Sequence, residues 1–100
     1  IQMLHYILVQ WMETGESNEE LSRRAERLFT QAGLPDIIRR LKTRRAVVEG
    51  PNRYDLMICV ELDGEQGLAA FDASMLHRQW KEEFGPAIRQ KAIFDCEGTL

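Results

Sequence analysis

Nine residues near the middle of the chain, Tyr54-Asp55-Leu56-Met57-Ile58-Cys59-Val60-Glu61-Leu62, decide most of what it can fold into. Tyr54, Leu56, Ile58, Val60 and Leu62 are all apolar or aromatic, and this period of two marks a strand with one face in a core. The other face has Asp55 and Glu61 at its ends but Met57 and Cys59 between them, so its middle also needs cover. A strand wanted on both faces lies inside its sheet. Helices on one side supply one cover, and in a chain of 100 residues the second is expected to be another copy of the same protein.

This length allows one domain with a single core, burying about 60–70% of the unfolded chain's surface. The formal net charge of -3 and pI near 5.4 lack the basic excess that nucleic acids or anionic membranes select. No apolar run approaches the ~20 residues of a membrane span, and the opening lacks the regions of a secretory signal. The expectation is a soluble, cytoplasmic protein without nucleic-acid or membrane partners. Ile1 and Gln2, ahead of Met3, read as a cloning remnant, which leaves a domain over residues 3–97 and a tail over 98–100. Cys59 and Cys96 lie in apolar strand-like runs at no metal-type spacing, and both are expected to be reduced and structural.

The run from Met3 to Met12 is dense in Ile, Leu, Val, Tyr and Trp and is apolar on both faces, so it predicts a second interior strand. Ser17 and Glu20 stand at capping-box spacing before Leu21, Ala25, Leu28, Phe29 and Ala32, which predicts a helix stopped by Gly33 and Pro35. Its other face carries Arg23, Arg24, Glu26 and Arg27. Arg39, Arg40, Lys42, Arg44 and Arg45 make 37–48 the most basic part of the chain. They read better as an edge strand whose cations resist aggregation than as an anion-binding patch. A turn at Gly50-Pro51-Asn52 leads into the central strand. Asp63 with Gln66, and then Ser74, read as caps of a second helical region broken again at Gly85-Pro86. Ala92–Glu97 predicts the last strand. The order is a split βαββαβ motif of ferredoxin-like type in the α+β class, with expected strand order four, one, three, two. That order keeps Cys59 and Cys96 about 9–10 Å apart, too far for a disulfide.

With these residues laid out, the chain resembles the stress-responsive alpha-beta barrel family, the Dabb domain. The resemblance runs from Met3 to about Glu97. It rests on His5 in strand one, the Arg53-Tyr54-Asp55-Leu56 lead into strand three, the helix break between Phe71 and His77, and the ending Lys91-Ala92-Ile93-Phe94-Asp95. It implies a four-stranded antiparallel sheet with helices on one face, and two subunits joined through their bare faces into a dimeric α+β barrel. By strand parity Tyr6, Leu8, Met57 and Cys59 then face the partner, while His5, Ile7, Val9, Leu56, Ile58 and Val60 face the helices.

Most members of the family have no assigned activity. One branch that this chain resembles is a polyketide cyclase that carries out an intramolecular aldol condensation without cofactor, in a pocket between helices and sheet. Its histidines in strand one and in the broken helix fall on His5 and His77. Its central-strand His is Leu56 here and its helix Tyr is Phe71, so the full constellation is absent. The implied ligand is a small apolar or carbonyl-containing metabolite, with Ile7, Val9, Leu56, Ile58, Val60, Phe71, Trp80 and Phe84 as pocket wall. Two poorly solvated imidazoles are suited to enolisation next to a carbonyl, as base and acid of a cyclase, lyase or isomerase that needs no cofactor. The alternatives are histidines that only satisfy buried polar groups, or a dimeric scaffold with a filled core. Metal binding is not expected, because no third ligand accompanies His5 and His77. An RNA-binding sheet is disfavoured, because Tyr6, Met57 and Cys59 supply no aromatic cluster.

Overall fold

A computed structural model describes residues 1–30 and 35–100. Along the chain lie β1 (Gln2–Trp11), α1 (Asn18–Thr30), β2 (Arg40–Arg45), β3 (Leu56–Asp63), α2 (Gly64–Asp72), α3 (Met75–Phe84) and β4 (Ile88–Glu97), with a 3-10 turn over Gly85–Ala87 before β4. The four strands form one antiparallel sheet in the order β2-β3-β1-β4, so the two strands that are apolar on both faces are the interior ones. This is the expected ferredoxin-like α+β topology. Both cysteines are free, and they sit on β3 and β4 with β1 between them.

One sheet face is packed by the helices. Ile7, Val9 and Trp11 from β1 and Leu56, Ile58, Val60 and Leu62 from β3 meet Leu21, Ala25 and Phe29 of α1, Phe71 of α2, and Trp80 and Phe84 of α3. The aromatic rings fill the wide space between layers: Trp80 lies 5.4 Å from Phe29 and 5.3 Å from Phe84 between centroids. The buried Trp11 indole N–H donates to Ser22 Oγ at 2.9 Å, so this polar atom is satisfied inside the aromatic layer.

The other face carries no helix. Its rows follow the register: Lys42, Cys59, Tyr6 and Phe94 form one, and Arg44, Met57, Leu8 and Ala92 the next. Phe94 is 62% exposed. Cys59 is fully inaccessible within a single chain and burial pushes its thiol up, so it behaves as a small apolar residue. Of the four residues expected to face a partner, only Tyr6, Leu8 and Met57 therefore present surface, while Phe94 adds the largest exposed ring.

Ser17 accepts from Glu20 N–H at 3.1 Å and Ser74 from His77 N–H at 3.2 Å, so both serine caps form as expected. Asp63 does not cap α2. It is the last residue of β3, opposite Gln2, and its carboxylate accepts from Gln2 Nε2 and from Arg39, which holds its pKa below the ordinary carboxylate value. Gln2 is thus built into the sheet, and Gly98 N–H returns to its carbonyl at 3.0 Å. Ile88 opens β4 opposite Trp11, four residues ahead of the strand start expected at Ala92, because Gly85–Ala87 turn the chain and Met12 N–H bonds the Ala87 carbonyl at 2.8 Å. Tyr54 precedes β3, and Ala46, Val47 and Val48 lie beyond β2. Asp55 serves Trp11 N–H at 2.8 Å and the Asn18 amide at 3.4 Å, and so anchors the start of β3 to β1 instead of pairing with Arg53. Ala32, the last expected packing residue of α1, and Gly33, the first of its two expected stops, fall outside the described residues.

Candidate functional site

The helical layer stops short of the β4 edge, and a cleft of about 450 Å³ opens there. Its walls are His5 and Ile7 from β1, Ile93, Lys91 and Asp95 from β4, Leu68 and Asp72 from α2, and His77, Trp80 and Lys81 from α3. His5 and His77, the two histidines singled out in the sequence, line this one cleft.

Odd positions of β1 point to the helices, and the β1–β4 register sets His5 directly opposite Asp95. The His5 Nδ1 lies 2.5 Å from Asp95 Oδ1. A carboxylate only accepts, so when the ring is neutral Nδ1 holds its proton and Nε2 is left with the lone pair. Among the described residues Nε2 has no hydrogen-bond partner, and His5 lines the cleft. The His5 side chain itself is only 7% exposed. Buried, unpaired on one nitrogen and anchored on the other, it has the arrangement of a general base.

His77 sits in the first turn of α3, and its Nδ1 lies 3.1 Å from the Asp72 carbonyl. A carbonyl oxygen cannot donate, so this nitrogen carries the proton and Nε2, 3.8 Å from the Asp72 carboxylate, is an acceptor. Burial holds its pKa below the ordinary value; Lys81 and Lys91 push the same way, and the Asp72 carboxylate opposes them. His77 is therefore neutral near pH 7 and suited to accept a hydrogen bond, not to supply the acid that the sequence assigned to the pair.

This titration predicts a pH effect on stability. With the native pKa depressed below the unfolded value of about 6.5, the unfolded chain binds more protons as the pH falls. Stability is then full above that value and declines as the pH drops through it, until native His77 is protonated too. Denaturant unfolding measured from neutral to mildly acidic pH is expected to show this decline, and His77→Gln is expected to flatten it.

Phe71 stands against both imidazoles, edge to face, at 5.7 Å from His5 and 5.2 Å from His77 between centroids. Each histidine packs on this ring instead of on the other. Of the expected wall residues, Ile7 and Trp80 line the cleft, whereas Val9, Leu56, Ile58, Val60 and Phe84 are in the packed core. The reason is volume: five buried aromatic side chains, Trp11, Phe29, Phe71, Trp80 and Phe84, fill the middle of the layer, and the cleft opens at the sheet edge. Asp95, Asp72, Lys81 and Lys91 went unrecognised as site residues. Asp95 was within reach of strand parity, since it alternates with Ile93 and Lys91 on the helix-facing side.

A larger depression of about 650 Å³ between the start of β1 and α2 is lined by Asp63, Glu65, Glu97 and the free thiol of Cys96, and borders Asp95 as well, but holds no histidine. Among the described residues no trio of His, Cys, Asp or Glu is placed to hold a metal ion, and no helix is long and apolar enough to cross a membrane.

No family model matches the sequence, and no characterised protein matches it significantly. Solved structures do match. A dimeric ferredoxin-like protein of unknown function from Thermobifida fusca YX aligns with a TM-score of 0.77 at 18% identity, over 97% of this chain and 91% of its own. A Dabb family protein with a ferredoxin-like fold from Mesorhizobium loti aligns with a TM-score of 0.72 at 10% identity, over 98% and 97%. A dimeric protein of unknown function from Bacteroides fragilis gives 0.72 at 13% identity, over 97% and 96%. At such identities the likeness is one of architecture, and this chain has the ferredoxin-like α+β fold that a Dabb protein and dimeric proteins of unknown function share with it.

Proposed function

We propose that two copies of this chain pair through their helix-free sheet faces, and that each binds a small carbonyl-containing metabolite in its β4-edge cleft. There His5 moves a proton without a cofactor. One arrangement carries the reading: a buried imidazole fixed by Asp95 through Nδ1, with Nε2 free towards a cleft wide enough for a small metabolite.

In the step, Nε2 takes a proton from the carbon beside the carbonyl. The C–H electron pair becomes the new C=C bond, and the carbonyl π pair moves to oxygen as an enolate. The imidazolium so formed faces the Asp95 carboxylate and is stabilised by it. The same nitrogen then returns the proton, to oxygen or to carbon, and the base is regenerated. His77 Nε2 offers an acceptor for the enol hydroxyl.

Pairing is supported by the apolar surface that Phe94, Tyr6, Leu8 and Met57 leave on the open face, and by the description of several proteins of this fold as dimeric. Charged Arg40, Lys42 and Arg44 fringe that patch along β2, an apolar centre with a polar margin.

The test is deuterium exchange. Incubated with octan-2-one in D₂O, the protein is expected to exchange the protons flanking the ketone faster than free imidazole at the same concentration. Exchange no faster than with free imidazole would overturn the proton-transfer reading.

A further inference from the structure

We propose that the ligand of this cleft is a keto acid whose carboxylate is held between Lys81 and Lys91, with its carbonyl lying at the far end beside His5. The proposal deepens the functional reading above and rests on it for the location of the site.

The cleft has a polar axis set by secondary structure. On β4 the side chains of Lys91, Ile93 and Asp95 point the same way, opposite Val9, Ile7 and His5 of β1 in turn. At about 3.4 Å per residue, Lys91 stands some 13–14 Å along the strand from Asp95. On the other wall, α3 feeds through a tight turn directly into β4 and so runs back along it. His77 therefore lies towards the His5 end, where both rings meet Phe71, and Lys81, one helical turn on, lies towards Lys91. Between the two ends the walls are Ile7, Ile93, Leu68 and Trp80. The sequence of surfaces is base, apolar span, ammonium pair.

At the Lys91 end the charge available to a ligand is positive, whereas both carboxylates of the cleft lie at the histidine end. Asp95 is engaged by His5 Nδ1 and Asp72 stands beside His77. Among the described residues neither Lys81 nor Lys91 reaches a carboxylate, although other cations of the chain do. Both ammoniums are near enough to depress the titration of His77 by their charge. A wholly apolar ligand would leave two cations at its end without a partner; a carboxylate there meets both in charge-assisted hydrogen bonds while its chain lies along Ile7, Ile93 and Trp80.

The probes are 7-oxooctanoate, a methyl ketone with a carboxylate at its other end, and uncharged octan-2-one, compared by calorimetric titration at low salt. The keto acid is expected to bind about tenfold tighter or better. Lys81→Gln with Lys91→Gln should erase that advantage, and Lys91→Arg should retain it. Equal affinity for the two probes, no binding of either, or a preference that survives the double substitution would overturn the proposal. Failure here separates from failure of proton transfer. Lysine-dependent binding of 7-oxooctanoate without deuterium exchange supports the carboxylate site and removes the base. Exchange of octan-2-one with no preference for the acid does the reverse.

Discussion

Replacing Asp95 with Asn is expected to lower the rate of ketone proton exchange by about 100-fold while leaving KM nearly unchanged; His5→Ala should reduce exchange to background. In the proposed step His5 takes the proton from carbon, so its loss removes the base itself. Asp95 acts through His5, as a positioning residue. Its carboxylate can only accept and so enforces a proton on Nδ1 and a lone pair on Nε2. The Asn amide can present either its oxygen or its NH₂, so the opposite tautomer becomes accessible, and the negative charge facing the developing imidazolium is lost. A fall in kcat at constant KM is the signature of an interaction made in the transition state. Nitrogen-15 spectra of the imidazole add a readout that a purely structural role would not move. A protonated Nδ1 and a bare Nε2 are expected in the native protein, and a mixture in the variant. An unchanged tautomer with unchanged kcat would remove Asp95 from the mechanism.

Met57→Asp is expected to convert the proposed dimer to monomer. Met57 lies on the open face of an interior strand, beside Leu8 and one row from Tyr6 and Phe94. An interface there would bury the new carboxylate. Its nearest cation, Arg44, is cross-strand on the exposed edge, where pairing contributes little. An uncompensated buried charge costs about 3 kcal/mol or more, which raises the dimer dissociation constant about 100-fold. Because Met57 is partly exposed within a single chain, the protomer should keep its fold, and circular dichroism should be unchanged. Sedimentation velocity decides the matter: a native protein that stays monomeric at micromolar concentration, or a variant that stays dimeric, would rule out pairing through this face.

The sheet was legible because β1 and β3 are apolar on both faces, a pattern that only interior strands need. The boundaries that misled are those where one residue satisfies two patterns. Ile88 follows Phe84 at a helical interval, yet Gly85–Ala87 turn the chain between them. Asp63 precedes a helix as a cap would, but the β1–β3 register gives its carboxylate to Gln2 and Arg39 first. The site was half legible. His5 and His77 stand out as the two histidines on apolar faces, whereas Asp95 acquires meaning only from a strand pairing ninety residues away. The wall residues were overcounted because periodicity says which face a side chain takes, not how much space its neighbours leave. Trp80, Phe84, Phe29 and Phe71 leave none at the centre.

The pairing of β1 with β4 also has a consequence in time. The interior strand made first by the ribosome receives one neighbour from the middle of the chain and the other only from the final stretch. Until β4 has left the exit tunnel, one edge of β1 is open and the core lacks its last cover, so a nascent chain is held in an aggregation-exposed state where chaperones act. Pairing over such a separation also carries a large loop-closure entropy and slows folding. The His5–Asp95 contact spans the same two strands. The proposed base is thus assembled only once β4 has docked on β1, and a partly synthesised or misregistered chain carries both residues without that contact.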